Sequence, residues 1–262
     1  MATKALCIGI NDYPGTDNDL SGCVNDAHDW AGELQRRGFT VSQLIDKDAK
    51  RAAMIKAIGA LIDGAAKGDS LVITYSGHGT WVPDASGDEP DGRDEALCPH
   101  DLASKGPLLD DDLHTLFARR AAGVRIVLIS DSCHSGSVTR GEEADIDPGM
   151  PRVRFMPPQC WRKGALPPAA LRDAAPRGGF TRAGGDLLLA GCQDEEYSWD
   201  TSFRGRPNGA FTYYALKSLR EAKPGNYRQW FDAIRKYLPS TRLPQSPQLF
   251  GSRTALRFKV LA

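Results

Sequence analysis

No surplus of charge, no paired-cysteine spacing, no apolar run of membrane length and no internal repeat marks this chain of 262 residues. Each absence removes a class of function. The 33 basic and 33 acidic residues cancel, so no overall field draws the chain to nucleic acid or to an anionic membrane, and neither is expected as a partner. No stretch approaches the roughly 20 apolar residues of a membrane span. The opening MATKALCIGIND lacks the charged, apolar and small-residue order of a signal peptide, so the expected location is cytoplasmic. Cys7, Cys23, Cys98, Cys133, Cys160 and Cys192 are scattered without CxxC spacing. That argues against a disulfide scaffold, a structural zinc site or a redox thiol with a resolving partner.

What the sequence does have is a set of short, β-branched apolar runs that end in polar turns. Val124–Gly136, VRIVLISDSCHSG, runs from an apolar strand straight into a turn carrying Cys133. Apolar on both faces, it reads as a central parallel strand, and in open α/β sheets reactive groups collect at the carboxyl ends of such strands. Ser70–Tyr75, SLVITY, has the same form and exits through SGHGT with His78. Two such neighbours place a thiol beside an imidazole, the arrangement for nucleophilic catalysis by a thiolate. Cys133 lies among Asp131, Ser132, His134 and Ser135, a polar setting unlike that of a structural thiol, and His78 lies between two glycines that admit a substrate backbone. Successive side chains on a strand-to-helix turn point different ways, so adjacency to Cys133 does not make His134 the base, and a zinc site from His78, Cys133 and His134 would need further ligands that no spacing announces.

The remaining chain fits around these two runs. Lys4–Ile10 and Phe39–Ile45 read as strands, and helices are expected from Asn25 or Asp26 to Arg37, from Asp46 or Asp48 to Gly64, and over Leu109–Arg120 with Asp110 as its cap. The order βαβα predicts a parallel sheet covered on both faces. Trp81–Asp101, rich in Gly, Pro and Asp, reads as a long acidic loop, and Gly141–Gly185, proline-rich with basic residues that include Arg152 and Arg154, reads as an irregular insertion. Asp186–Ala190 is a fifth strand, two helices follow over Gly209–Arg220 and Tyr227–Leu238, and Thr254–Leu261, TALRFKVL, alternates as a sixth, edge strand.

YSGHG followed by DSCHSG, with LSGCVNDA before them and LLLAGCQDEEYSWD after, resembles the metacaspases and their bacterial relatives among the caspase-like cysteine peptidases, from Lys4 to about Leu219. His78 precedes Cys133 by 55 residues, close to the spacing of about 50 in caspases, although SCHSG is not the caspase signature. The resemblance implies an α/β fold, a caspase-like three-layer sandwich with a mostly parallel sheet of about six strands and helices on both faces. It implies one domain over 1–262, in which a large-subunit-like portion spans 1–140, an insertion or linker 141–185 and a small-subunit-like portion 186–262, and it implies a monomer. It implies an endopeptidase acting on protein or peptide substrates, with Cys133 as nucleophile, His78 as base and acid, and the amides of Gly79 and Cys133 as oxyanion donors.

Metacaspases cut after Arg or Lys, and the matching acidic pocket positions are Asp26 and Asp131, with Ser76 and Asp200 as weaker candidates. Asp26 also reads as a helix N-cap, and Asp131 as the holder of its own turn. No cofactor is required, but some relatives are activated by calcium at positions matching Asp94, Asp110 and Asp111. This sequence departs from that pattern at Arg140, where Glu142 and Glu143 are substitutes, and Asp110–Asp112 also suit a helix N-terminus. The arginines of the insertion suit self-cleavage. Two alternatives stay open: a relative with another side-chain preference before the cut, and a catalytically silent caspase-like scaffold.

Overall fold

Three runs of seven residues, Thr3–Gly9 (β1), Ser70–Ser76 (β3) and Arg125–Asp131 (β7), form the middle of a six-stranded sheet. The computed structural model describes residues 1–83, 92–133, 151–162, 186–193 and 196–262. In chain order the other elements are α1 (Cys23–Arg36), β2 (Thr40–Ile45), α2 (Arg51–Asp63), β4 (Gly79–Pro83), β5 (Arg93–Leu97), α3 (Leu102–Lys105), β6 (Leu108–Leu109) and α4 (Asp110–Ala118). After β7 come β8 (Arg152–Val153), α5 (Pro158–Trp161), β9 (Leu187–Ala190), β10 (Trp199–Phe203), β11 (Arg206–Gly209), α6 (Ala210–Ala222), α7 (Tyr227–Ile234) and β12 (Gln248–Gly251).

The main sheet has the order β12-β9-β7-β3-β1-β2, with every pair parallel except the edge pair β12 and β9. Side chains alternate between its faces, as a strand's period of two requires. Leu6, Ile8, Leu71, Ile73, Tyr75, Ile126 and Leu128 join Met54 and Ile58 of α2 and Leu113 and Phe117 of α4 in one core. Ala5, Cys7, Val72, Val127 and Ile129 join Trp30 of α1, Phe211 of α6 and Trp230 of α7 in the other. Both faces are thus dry, which explains why these strands read as unbroken apolar runs. Trp30 and Trp230 meet edge to face at 6.1 Å and tie α1 to α7. The expected three-layer sandwich is the one observed.

Four local expectations are corrected. Trp81–Asp101 is not an irregular loop throughout, because β4 and β5 pair as an antiparallel hairpin with β6 added, while 84–91 lie outside the described residues. Cross-strand pairs such as Thr80 with Ala96 satisfy backbone that Gly and Pro content had suggested was unpaired. The last strand is Gln248–Gly251 rather than Thr254–Leu261. That tail instead makes a single 3-10 turn over Ala255–Arg257 and buries Ala255, Val260 and Leu261 against the α6–α7 core, so its alternation reflects packing of an extended tail. Helix α1 begins at Cys23 with Gly22 as N-cap, so Asp26 lies inside its first turn and is not the cap. Helix α4 is capped by Leu109 in place of Asp110, and the Asp112 carboxylate accepts from the Leu109 N–H at 3.2 Å.

Candidate active site

Register sets the site. Ser76 at the end of β3 pairs with Asp131 at the end of β7, and His78 and Cys133 each follow two residues later, at the same level beyond the sheet. Gly77, between Ser76 and His78, leaves no room for a side chain, because a Cβ there would stand 2.6 Å from the hydroxyls of both Tyr13 and Tyr75. The Tyr13 hydroxyl accepts from the His78 N–H at 2.8 Å, and its ring centroid lies 4.9 Å from that of the imidazole. The Tyr75 hydroxyl donates to the His78 carbonyl at 2.6 Å. His78 Nε2 lies 2.6 Å from the Asn18 carbonyl oxygen, a pairing that assigns the ring hydrogen to Nε2. Nδ1 is therefore the free base, buried with no hydrogen-bond partner among the described residues. Burial pushes the His78 pKa down to about 4, against the opposing effect of the Asn18 contact.

Cys133 is fully buried, and its Sγ accepts from the Ser198 N–H. Cys192 packs beside it and donates to the Ser132 carbonyl at 3.6 Å. The contact with Cys133, followed by burial, holds the Cys192 thiol well above its usual range. Burial pushes Cys7 up to about 12 and raises Cys23 and Cys98 as well, so these thiols stay protonated and unreactive.

The chain itself occupies the space in front of Cys133. β8 pairs antiparallel with β10, Val153 opposite Trp199 and Arg152 opposite Asp200. Arg154 then donates its N–H to the Ser198 carbonyl at 2.9 Å, and its own carbonyl accepts from the N–H groups of Gly79 at 3.0 Å and Cys133 at 3.1 Å. These two amides are the expected oxyanion donors, and they converge on one carbonyl oxygen. Beyond it, the Met156 N–H donates to the Gly79 carbonyl at 2.8 Å.

The Arg154 side chain is fully buried among three carboxylates. Nη2 lies 2.7 Å from Asp26 Oδ2 and 2.8 Å from Asp200 Oδ1, and Nη1 lies 3.2 Å from Asp131 Oδ2. Burial opposes the guanidinium charge, and Asp131, Asp26 and Asp200 more than offset it. Each carboxylate is fixed by other donors. Asp26 accepts from Asn208 Nδ2 at 2.9 Å and the Gly209 N–H at 3.0 Å. Asp131 accepts from Ser198 Oγ at 2.6 Å and Thr212 Oγ1 at 2.8 Å. Asp200 accepts from the Ser21 N–H at 2.8 Å. Gly209 borders the pocket because a Cβ there would collide with both Asp131 and the Arg154 guanidinium. Burial and the neighbouring Asp131 push the Asp26 pKa up to about 7, in spite of Arg154.

Of the residues expected from sequence, His78, Gly79, Cys133, Asp26, Asp131 and Asp200 meet here, and Asp200 stands as close to the guanidinium as Asp26. Ser76 is buried in β3 beside Asp131, with no hydrogen bond to Arg154 among the described residues. Arg154, Ser198, Tyr13 and Asn18 were not anticipated as site residues. Arg154 sat in a stretch read as an irregular basic insertion and is instead buried at the centre of the pocket.

Asp94 lies on β5, and Asp110 and Asp111 open α4. Burial, then Asp111 and Asp94, raises the Asp110 pKa to about 7. Among the described residues no group of three or more His, Cys, Asp or Glu side chains is placed to hold a metal ion. His134, Arg140, Glu142 and Glu143 lie outside the described residues. No described helix is long and apolar enough to cross a membrane.

A family model described as metacaspase, peptidase C14 domain, matches residues 3–140. Metacaspase-1 of Cryptococcus neoformans (strain JEC21) is 32% identical over 296 aligned residues, which cover 95% of this chain and 62% of the relative. Metacaspase-1 of Mycosarcoma maydis is 31% identical, with 95% and 70% covered. The chain therefore spans about 62% of the length of the Cryptococcus relative. A crystal structure of a protein from Geobacter sulfurreducens matches with a TM-score of 0.74 and 33% identity, covering 100% of this chain and 99% of the other.

Proposed function

The chain belongs to the metacaspase family of C14 peptidases, and on that premise we propose that it is a cysteine endopeptidase cutting after Arg or Lys, with its own Arg154–Phe155 bond held as a first substrate. One observation carries the reading. The Arg154 carbonyl accepts two converging amide hydrogen bonds beside Cys133 while its guanidinium fills a pocket of three carboxylates.

The chemistry follows from these positions. His78 Nδ1 takes the Cys133 proton, and Sγ attacks the carbonyl carbon of the bound arginine. Negative charge developing on the oxygen is met by the Gly79 and Cys133 amides, already aimed at it. The imidazolium returns its proton to the departing amine, leaving a thioester between Cys133 and the arginine. A water deprotonated by His78 then hydrolyses the thioester, releasing the arginine carboxylate and regenerating the thiol. Asn18 holds the ring tautomer through Nε2, so that Nδ1 remains the proton carrier. The paired Nη atoms suit bidentate carboxylate recognition and favour Arg over an acidic residue before the cut.

Short coumarin-releasing peptides ending in Arg, Lys or Asp, assayed with and without calcium, test this reading against the Cys133→Ala chain. Turnover after Arg or Lys that vanishes in Cys133→Ala is expected. Turnover only after Asp would overturn the pocket assignment, and silence in every condition would favour the non-catalytic scaffold.

A further inference from the structure

Next to the nucleophile lies a third apolar cluster, separate from the two cores that cover the sheet. Cys133, Phe155 and Cys192 form it, each no more than 6% exposed, with Trp81, Val153 and Tyr197 packed against them. It brings together the residues on both sides of Arg154. Phe155 directly follows the bond in front of Cys133 and is 6% exposed, and Met156 is fully buried in the core that contains Tyr75. Backbone contacts fix the register of this far side: Phe155 bridges Gly79 in parallel fashion, and the Met156 N–H donates to the Gly79 carbonyl. Trp161 closes the segment by donating from Nε1 to Thr80 Oγ1 at 3.1 Å. The Arg93 guanidinium stands 4.4 Å from the centre of the Trp81 ring. An acidic side chain at the Phe155 position would be buried in this apolar cluster at a desolvation cost.

We infer that the cleft reads the residues flanking the basic one, and that its substrates are polypeptide segments with an apolar residue before the arginine and a bulky apolar pair after it, as in Val153-Arg154-Phe155-Met156. This deepens the peptidase reading and rests on it. The specificity-determining surface is the apolar cluster in which Trp81, Val153, Tyr197 and Cys192 pack with Phe155 and Cys133.

The test follows two reactions of the full chain. One is self-cleavage, read by mass spectrometry as a fragment beginning at residue 155. The other is turnover of an Arg-coumarin peptide, which carries no polypeptide after the arginine. Phe155→Leu is expected to cleave itself within about threefold of the unsubstituted rate, and Phe155→Asp at least tenfold more slowly, while both still turn over the coumarin peptide. The coumarin reading also shows that each variant folds. Quenched peptides supplied to the Phe155→Asp chain give the second measurement. One carrying Val-Arg-Phe-Met is expected to exceed one carrying Val-Arg-Asp-Met at least tenfold in kcat/KM. Self-cleavage of Phe155→Asp at the unsubstituted rate, or equal kcat/KM for the two peptides, overturns the inference while leaving the peptidase reading intact. Loss of coumarin turnover in every chain, the unsubstituted one included, overturns both.

Discussion

Replacing Arg154 with alanine removes the cation that three buried carboxylates share. Taking one partner from a buried ion pair costs about 3–5 kcal/mol, because the other charges are left without compensation. Here the loss falls on the self-bound arrangement rather than on the sheet, since Asp26, Asp131 and Asp200 keep their bonds to Asn208, Thr212, Ser198 and the Ser21 amide. Water entering the vacated pocket resolvates the carboxylates, so the lower bound applies, about 3 kcal/mol. At about 1.4 kcal/mol per tenfold, the occupied form loses roughly a hundredfold in weight against the open form. The Arg154→Ala chain should therefore fail to cut itself after residue 154 and should turn over an added Arg peptide faster than the unsubstituted chain, by up to about a hundredfold. Arg154→Lys, which keeps the charge but only one nitrogen, should fall between them. Initial rates on an Arg-coumarin peptide, with a denaturing gel of the same samples, measure both effects. An Arg154→Ala chain no faster than its parent, or one still cut between residues 154 and 155, would refute the reasoning.

Three further outcomes follow from the same geometry. Asp26 is raised to about 7 by burial and Asp131, so its charge appears as pH rises through neutrality, and a cationic substrate binds the charged form more tightly. kcat/KM for an Arg peptide should thus climb through about pH 7, and Asp26→Asn should flatten that limb. Because Nη2 bridges Asp26 and Asp200 while Nη1 reaches Asp131, a lysine nitrogen cannot span all three, and competition between matched peptides should favour Arg over Lys about tenfold or more. Burial holds His78 near 4, below the ordinary 6.5. Its contribution to stability is therefore full above about pH 6.5 and is lost as pH falls through 4. Urea unfolding of the Cys133→Ala chain should show this as up to about 3 kcal/mol, absent when His78→Gln is added.

The sheet was legible in the sequence because each central strand is dry on both faces, so Leu71–Tyr75 and Ile126–Ile129 read as apolar runs without help from partners. The catalytic pair was legible for the same reason: a strand's end announces itself when the apolar run breaks, and His78 and Cys133 both follow such breaks. Asp200 was harder to weigh, because its closeness to Asp26 comes from β10 folding back to the start of α1, where it meets Ser21 and Gly22. Arg154 was not legible as a site residue. Its stretch has no period, and its partners lie 128, 23 and 46 residues away. The signal that was present, an arginine set between Val153 and Phe155–Met156 among prolines, acquires meaning only when β8 is seen lying in the cleft. TALRFKVL misled because alternation is shared by a strand and by an extended tail packed on a core.

The most direct measurement is the intact mass of the purified chain held at neutral pH, beside Cys133→Ala treated identically. The account predicts one fragment ending at Arg154 and one beginning at Phe155, formed by the unsubstituted chain alone. A bond between residues 154 and 155 that stays whole while added Arg peptides are cleaved, or that breaks equally in Cys133→Ala, would contradict it.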